Sequence, residues 1–309
     1  MIKKAKIVGI VVMTFFAINI FAQQEAQNSF YMFNPSIINP AYAGSRDALS
    51  VVLDSRVQWT GWKGAPKTNS FIMHTPLVNE SIGLGVNVLS DVIGPTNRTS
   101  LFADFAYRLK LNSKNDRLCF GIRAGTDLIR NNFGGLYVND PDEPGIASGT
   151  NFNTNTFNTG AAVYYYGKRF FVGFTAPKTI PNKLTKDARF SGSKEVLHYY
   201  LIAGYVFKLN SLWDLKPGCS IKYTANSPLS IDANLSALFI NKIWLGVMYR
   251  HGSAAGANIM YNFTKQLRAG YAYDYSINRM GRYSPSTHEV IIGYDFLSNN
   301  KAYKSPRYF

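Results

Sequence analysis

Four histidines (His74, His198, His251 and His288), two cysteines (Cys119 and Cys219) and one compact acidic group (Asp140, Asp142 and Glu143) are the residues from which this chain could build chemistry. Zinc needs several His, Cys or carboxylate ligands brought together, usually at short spacings. The histidines are widely separated, and none sits with Cys, Asp or Glu at a metal-ligand spacing. No HExxH, GxSxG or phosphate-loop pattern occurs. A Ser/His pair assembled from distant strands would take His288, beside Glu289, as its first candidate; the plainer reading is a histidine near a strand end. Acidic oxygens between Gly134-Gly135 and Gly145 could hold calcium on a flexible loop, but EF-hand spacing is absent and a solvated outer loop is the plainer reading. Gly83-x-Gly85 falls within a strand, where glycine marks a bend or bulge rather than a phosphate cradle. No catalytic residue, metal ligand or cofactor is therefore expected.

What positions these residues is a mature chain rich in strands. Residues 1–22 read as a secretory signal: Lys3, Lys4 and Lys6, then an apolar stretch from Ile7 to Phe21, then Ala22 before the cut at Gln23. The stretch is shorter than the roughly 20 apolar residues of a retained transmembrane helix. No Cys lies near the cut, so a lipid-anchored end is not expected. Losing three lysines lowers the formal charge from +15 to +12, dispersed without a long basic run. In an exported protein that charge suits anionic lipid headgroups or acidic partners rather than nucleic acid. With 46% hydrophobic residues, 17% charged, 20 Tyr and 21 Phe, the chain is not disordered.

Period-2 alternation recurs after Arg46. Leu101, Ala103, Phe105, Tyr107 and Leu109 alternate with Asp104, Arg108 and Lys110; Ile231, Ala233, Leu235, Ala237 and Phe239 alternate with Asp232, Asn234 and Ser236. Similar runs give about fourteen candidate strands. Cys119 and Cys219 fall on opposite strand faces and should be free, although exported proteins can form disulfides. A soluble sandwich and a membrane barrel both fit alternation. Three observations favour an all-β, transmembrane antiparallel outer-membrane β-barrel of about 14 strands. Many strands are long enough to cross a bilayer at a tilt. Charge runs through mid-strand positions such as Asp104, Arg123, Lys222, Asp232 and Asp274. Long connections (129–154, 176–193, 277–286) fall at odd-numbered positions in the strand series, short ones at even-numbered positions, as long outer loops and short periplasmic turns would. An even strand number then places both mature ends in the periplasm. Tyr164 to Tyr166, Tyr199-Tyr200 and Phe170-Phe171 are candidates for the interfacial aromatic girdles.

Two stretches stand apart from the strands. Asn34-Pro35 and Asn39-Pro40, followed by Tyr42 and Gly44, should form a kinked, extended, non-helical lead-in, since proline fixes φ and restricts the residue before it. Trp59-Thr60-Gly61-Trp62-Lys63-Gly64-Ala65-Pro66 should be the first outer loop, its tryptophans either a partner-binding surface or a girdle anchor.

The chain resembles the PorP/SprF family of outer-membrane proteins of the type IX secretion system of Bacteroidota. The resemblance rests on Tyr31-Met32-Phe33-Asn34-Pro35, Asn39-Pro40-Ala41-Tyr42-Ala43-Gly44-Ser45 and Gln58-Trp59-Thr60-Gly61-Trp62-Lys63-Gly64-Ala65-Pro66-Lys67-Thr68. It continues through His74-Thr75-Pro76-Leu77, Gly83-Leu84-Gly85, Ala106-Tyr107 and Phe120-Gly121-Ile122-Arg123-Ala124-Gly125. Trp62 and Lys63 stand where family members often show other residues. The resemblance implies a non-enzymatic barrel that supports export or surface attachment of large proteins such as gliding adhesins. Implied partners are type IX secretion components, cargo with C-terminal sorting domains, outer-membrane lipid and, as a further candidate, a periplasmic lipoprotein or peptidoglycan-binding protein. A small-solute porin is the alternative. The expected organisation is a signal peptide over 1–22, an N-terminal periplasmic or plug segment over 23–46, the barrel over 47–297 and a periplasmic tail over 298–309. Asn34, Pro35, Asn39, Pro40, Tyr42 and Gly44 are the candidate plug or partner-binding residues, and Trp59, Trp62, Gly64 and Pro66 the candidate outer-loop contacts.

Overall fold

The structure, a computed structural model, describes residues 25–77, 80–111, 116–132, 152–183, 194–225 and 227–296. The signal sequence, the Asp140–Glu143 group and the C-terminal tail lie outside them.

Alternating residues do build one antiparallel sheet. Its strands are β1 (Leu49–Val57), β2 (Lys67–Pro76), β3 (Ile82–Ile93), β4 (Thr96–Lys110), β5 (Arg117–Asn131), β6 (Phe152–Tyr166) and β7 (Phe170–Ala176). They continue as β8 (His198–Tyr205), β9 (Phe207–Lys208), β10 (Trp213–Thr224), β11 (Ser230–Phe239), β12 (Ile243–Arg250), β13 (Ala254–Asn262), β14 (Leu267–Ser276) and β15 (Ser286–Phe296). β8 and β9 keep one register against β10 and form a single stave interrupted at Val206, opposite Lys216 and beside Pro217, which has no N–H to donate. β1 pairs with β15, from Leu49↔Phe296 to Val57↔His288, and β10 pairs with β11. The sheet is thus a closed barrel of fourteen staves, which leaves no open edge.

The barrel is polar inside and apolar outside. On β4, Asp104 and Arg108 are 3% and 1% exposed, while Leu101 and Phe105 on the alternate face are 49% and 40% exposed. The same inversion recurs at Arg123 against Ile122 and at Glu289 against Val290. Water would not tolerate that outer belt, whereas lipid requires it. Outward aromatics pair near the short-turn end: Tyr165 with Phe170, Tyr205 with Phe207, Trp213 with Phe239 and Tyr294 with Phe296, at centroid distances of 4.5–5.0 Å. The expected girdle runs are only half right. Tyr165, Phe170 and Tyr199 face outward, but Tyr164, Phe171 and Tyr200 are buried inside, because neighbours on a strand alternate between faces.

The ends at which β1 meets β2, β5 meets β6, β7 meets β8 and β14 meets β15 in the chain share one end of the barrel, the long-loop end. Those at which β2 meets β3, β4 meets β5, β6 meets β7, β9 meets β10, β11 meets β12 and β13 meets β14 share the other, the short-turn end, from which β1 starts. Cys119 faces inward and buried, Cys219 is on the opposite face, and both are free.

Candidate functional site: the segment inside the barrel

Residues 29–44 lie in the lumen. Three 3-10 turns, Phe30–Met32, Pro35–Ile37 and Pro40–Tyr42, replace the extended lead-in expected from sequence. The prolines explain the difference. Pro35 and Pro40 open the second and third turns, where proline's fixed φ fits and its missing N–H costs nothing; the first turn has no proline. The residues preceding the prolines, Asn34 (φ −140°) and Asn39 (φ −117°), keep extended φ values. Asn39 caps its turn by accepting from the Ala41 N–H at 2.9 Å.

The segment also corrects the expected position of the N-terminal end. β1 starts at the short-turn end, but the chain before it climbs the lumen. Gly44 packs on Gly83 and Pro76 near the short turns, and its N–H donates to His74 Nδ1 at 3.2 Å. Ser29 lies at the long-loop half, where its N–H donates to Glu289 Oε2 at 2.7 Å and its hydroxyl to Asp274 Oδ2 at 2.6 Å. Glu25 reaches Arg98 and Lys178 at 3.7 and 3.4 Å, at the long-loop mouth. A strand count fixes where β1 begins; it says nothing of a segment that folds back through the interior.

The wall is shaped for this occupant. A Cβ on Gly83 would stand 2.0 Å from the Ala43 carbonyl oxygen, and one on Gly121 would stand 2.2 Å from the Ala41 nitrogen. Both glycines exist for close backbone approach rather than for a bend, since β3 and β5 run in unbroken register through them. Arg123 is held by Asp104 at 2.6 and 2.8 Å and donates to the carbonyls of Ser36 and Ile37 at 3.0 and 3.2 Å. Lys216 donates to the Met32 carbonyl at 3.0 Å, with its ammonium 4.1 Å from the Phe33 ring centroid. Tyr42 sets its ring edge-on to His74 and Tyr164, at 5.5 and 5.6 Å. Arg56 joins Glu289, Asp274 and Ser29 at 2.6–2.8 Å. Where the segment leaves the lumen, Arg46 grips Asp295 through two nitrogens and Asp47 pairs with Arg108 at 2.9 Å. Burial alone would raise the Glu25 carboxyl, yet Lys178 and Arg98 bring it down to about 2. Mid-strand charge in the sequence signalled a lumen; that several of these charges hold backbone carbonyls and amides of residues 29–37 was not visible there.

The Trp59 loop is separate, at the long-loop end. Thr60 donates its N–H to the Ser286 carbonyl at 2.8 Å, and the Gly94 N–H donates to the Gly64 carbonyl at 2.9 Å. Pro66 accepts from the Gln58 N–H, closing the loop at its base. Trp59 adopts a left-handed φ of +50°. Trp62 is exposed and meets Tyr283 edge-on at 5.6 Å. The two sets of candidate residues are thus not brought together. Nor does His288 form a catalytic pair with its neighbour. It faces outward against the Tyr271 hydroxyl at 2.6 Å, while Glu289 points inward to Arg56 and the segment.

A model of the Type IX secretion system membrane protein PorP/SprF family matches residues 20–294. The chain belongs to that family. This PorP/SprF barrel is an integral outer-membrane protein, and solved structures share its fold. It is similar to the CymD monoaromatic hydrocarbon channel at 11% identity and a TM-score of 0.52, over 88% of this chain and 94% of that one. It is also similar to Omp33 of Acinetobacter baumannii, at 9% identity and a TM-score of 0.46 over 81% and 98%. A Pseudomonas aeruginosa FadL homologue gives 12%, 0.46, 89% and 96%. At such identities the likeness is of fold alone. No curated protein matches the chain.

Proposed function

We propose that this PorP/SprF barrel is a non-enzymatic accessory of type IX secretion that supports export and surface attachment of a large cargo protein, rather than a solute channel. The observation that carries this reading is the filled lumen. Residues 29–44 are anchored to the wall at Glu289, Lys216, Arg123 and His74, and two pockets beside them, among the described residues, measure about 40 and 70 Å³. Such cavities hold a water or two. A porin needs a continuous aqueous path through its interior.

On this reading the barrel is a rigid docking body. Its long-loop end, with Trp59, Trp62, Gly64 and Pro66, receives cargo carrying a C-terminal sorting domain. Its short-turn end meets secretion components or a periplasmic lipoprotein or peptidoglycan-binding protein. Asn34, Pro35, Asn39, Pro40, Tyr42 and Gly44 close the passage between them. Deleting the gene, with paralogues removed, should leave one large surface protein unsecreted or shed into the medium, as read by surface proteomics. Unchanged surface display would overturn the proposal. Purified barrel in planar bilayers should stay electrically silent; a large, steady conductance would return the porin reading.

A further inference from the structure

At the long-loop mouth, one side of the segment leaves a small pocket against β8, β10, β11 and β12. The sheet register builds its wall in two rows. Tyr200, Lys222 and Ser230 are aligned across β8, β10 and β11. One layer deeper, Ser220, Asp232 and Arg250 are aligned across β10, β11 and β12. All six line the pocket, opposite Ala26, Asn28, Tyr31, Ile37 and Ile38 of the segment.

The charges do not balance. Arg250 Nε donates to Asp232 Oδ2 at 2.9 Å. Lys222 Nζ is buried and has no hydrogen-bond partner among the described residues; the Tyr200 ring centroid is 6.0 Å away. Glu25, the carboxylate of the neighbouring segment, lies 3.4 and 3.7 Å from Lys178 and Arg98 and acts on Lys222 only through space, without a hydrogen bond. The lining therefore carries two cations and one anion, with hydroxyls of Ser220 and Ser230 beside the free ammonium. A buried ammonium without a partner is costly, and an arriving anion removes that cost.

We propose that this pocket is a carboxylate-binding site. Its volume of about 40 Å³ suits one small anionic group. It lies inside the barrel between wall and segment, away from the outer belt that meets lipid, so its anion comes from the lumen or its mouth rather than from a membrane headgroup. The source of the carboxylate rests on the secretion reading above: an acidic side chain or the C-terminal carboxylate of the exported cargo, bound by Lys222 with Ser220 and Ser230.

The test uses full-length barrel purified in detergent, titrated with sodium acetate against sodium chloride at matched ionic strength, with thermal unfolding followed by tryptophan fluorescence. Acetate should raise the unfolding temperature saturably beyond chloride. Lys222→Met should need at least about ten times more acetate for the same shift, a loss of about 1.4 kcal/mol or more. Lys222→Met replaces an unpartnered ammonium with an apolar chain of similar length, so it should fold. Should it not, Ser230→Leu fills the pocket without changing its charge and should abolish the response. No acetate-specific rise, an equal rise in Lys222→Met or Ser230→Leu, or inorganic phosphate acting as well as acetate would each overturn the site. The same Lys222→Met change in cells should reduce cargo display. Normal display together with lost acetate binding would overturn the cargo assignment; the acetate result stands apart from the deletion experiment, so failure of the site and failure of the secretion reading are told apart.

Discussion

Gly121→Val should unseat the lumenal segment without disturbing the barrel wall. Gly121 sits in regular strand β5, opposite Ala106 and Ala162, where a β-branched residue is favoured. Its Cβ would meet the Ala41 nitrogen at 2.2 Å, against the 3.4 Å at which ordinary contact begins, so the third 3-10 turn must retreat by more than about 1 Å. That retreat strains three contacts made by the same stretch. They are the Gly44 N–H to His74 at 3.2 Å and the two Arg123 bonds to Ser36 and Ile37. The Arg123 bonds are charge-assisted, about 1.5–3 kcal/mol each, and partial exposure of Tyr42 adds about 1–2 kcal/mol. A loss of about 5 kcal/mol changes the ratio of seated to unseated segment roughly 10³–10⁴-fold. In planar bilayers, wild type should be closed and Gly121→Val should show opening events. Heat-modifiable migration on gels should be the same for both, reporting an intact barrel. If Gly121→Val is as silent as wild type while heat-modifiable, the segment is not what closes the lumen.

Three further outcomes follow from the same contacts. Pro35→Ala with Pro40→Ala frees the segment's backbone and should cost about 0.4–1 kcal/mol per site; the barrel should assemble while cargo display falls, and normal display would make the segment a simple lead-in. Glu289→Leu leaves Arg56 short of one partner inside the barrel, a loss of about 3–5 kcal/mol, and should make the chain near Ser29 cleavable by added protease. Glu25 has its carboxyl lowered from 4.5 to about 2, so its grip on the long-loop mouth is fully present above 4.5 and is lost as pH falls through about 2. Amide exchange of residues 25–28 should thus show no tether-dependent change between pH 8 and pH 5 once the intrinsic rate is corrected, and loosening only at lower pH.

The sequence alone determined the wall. Period-2 alternation requires a sheet, and charge at Asp104, Arg123 and Asp274 in mid-strand requires that one face avoid lipid, so the closed barrel and its polarity were legible. Fourteen staves were legible because each strand is a local pattern bounded by turn residues. The paired aromatics misled only where several stood together, since alternation sends neighbours to opposite faces. The block Asn34–Ser45 was conspicuous in sequence, but its conformation was not. Asn-Pro reads equally as an extended kink or as the start of a 3-10 turn, and local preference does not choose between them. The choice was made by the lumen: Gly83 and Gly121 leave room for backbone at one height, and Glu289, Lys216 and Arg123 supply partners for amides and carbonyls that burial would otherwise strand. These wall residues are 40 to 260 positions distant in the chain and meet the segment only once the sheet closes around it. Strand order set the barrel. The route of the segment through its interior, and the free ammonium of Lys222 beside that route, were decided by tertiary structure alone, because both depend on side chains from distant strands converging on one enclosed space.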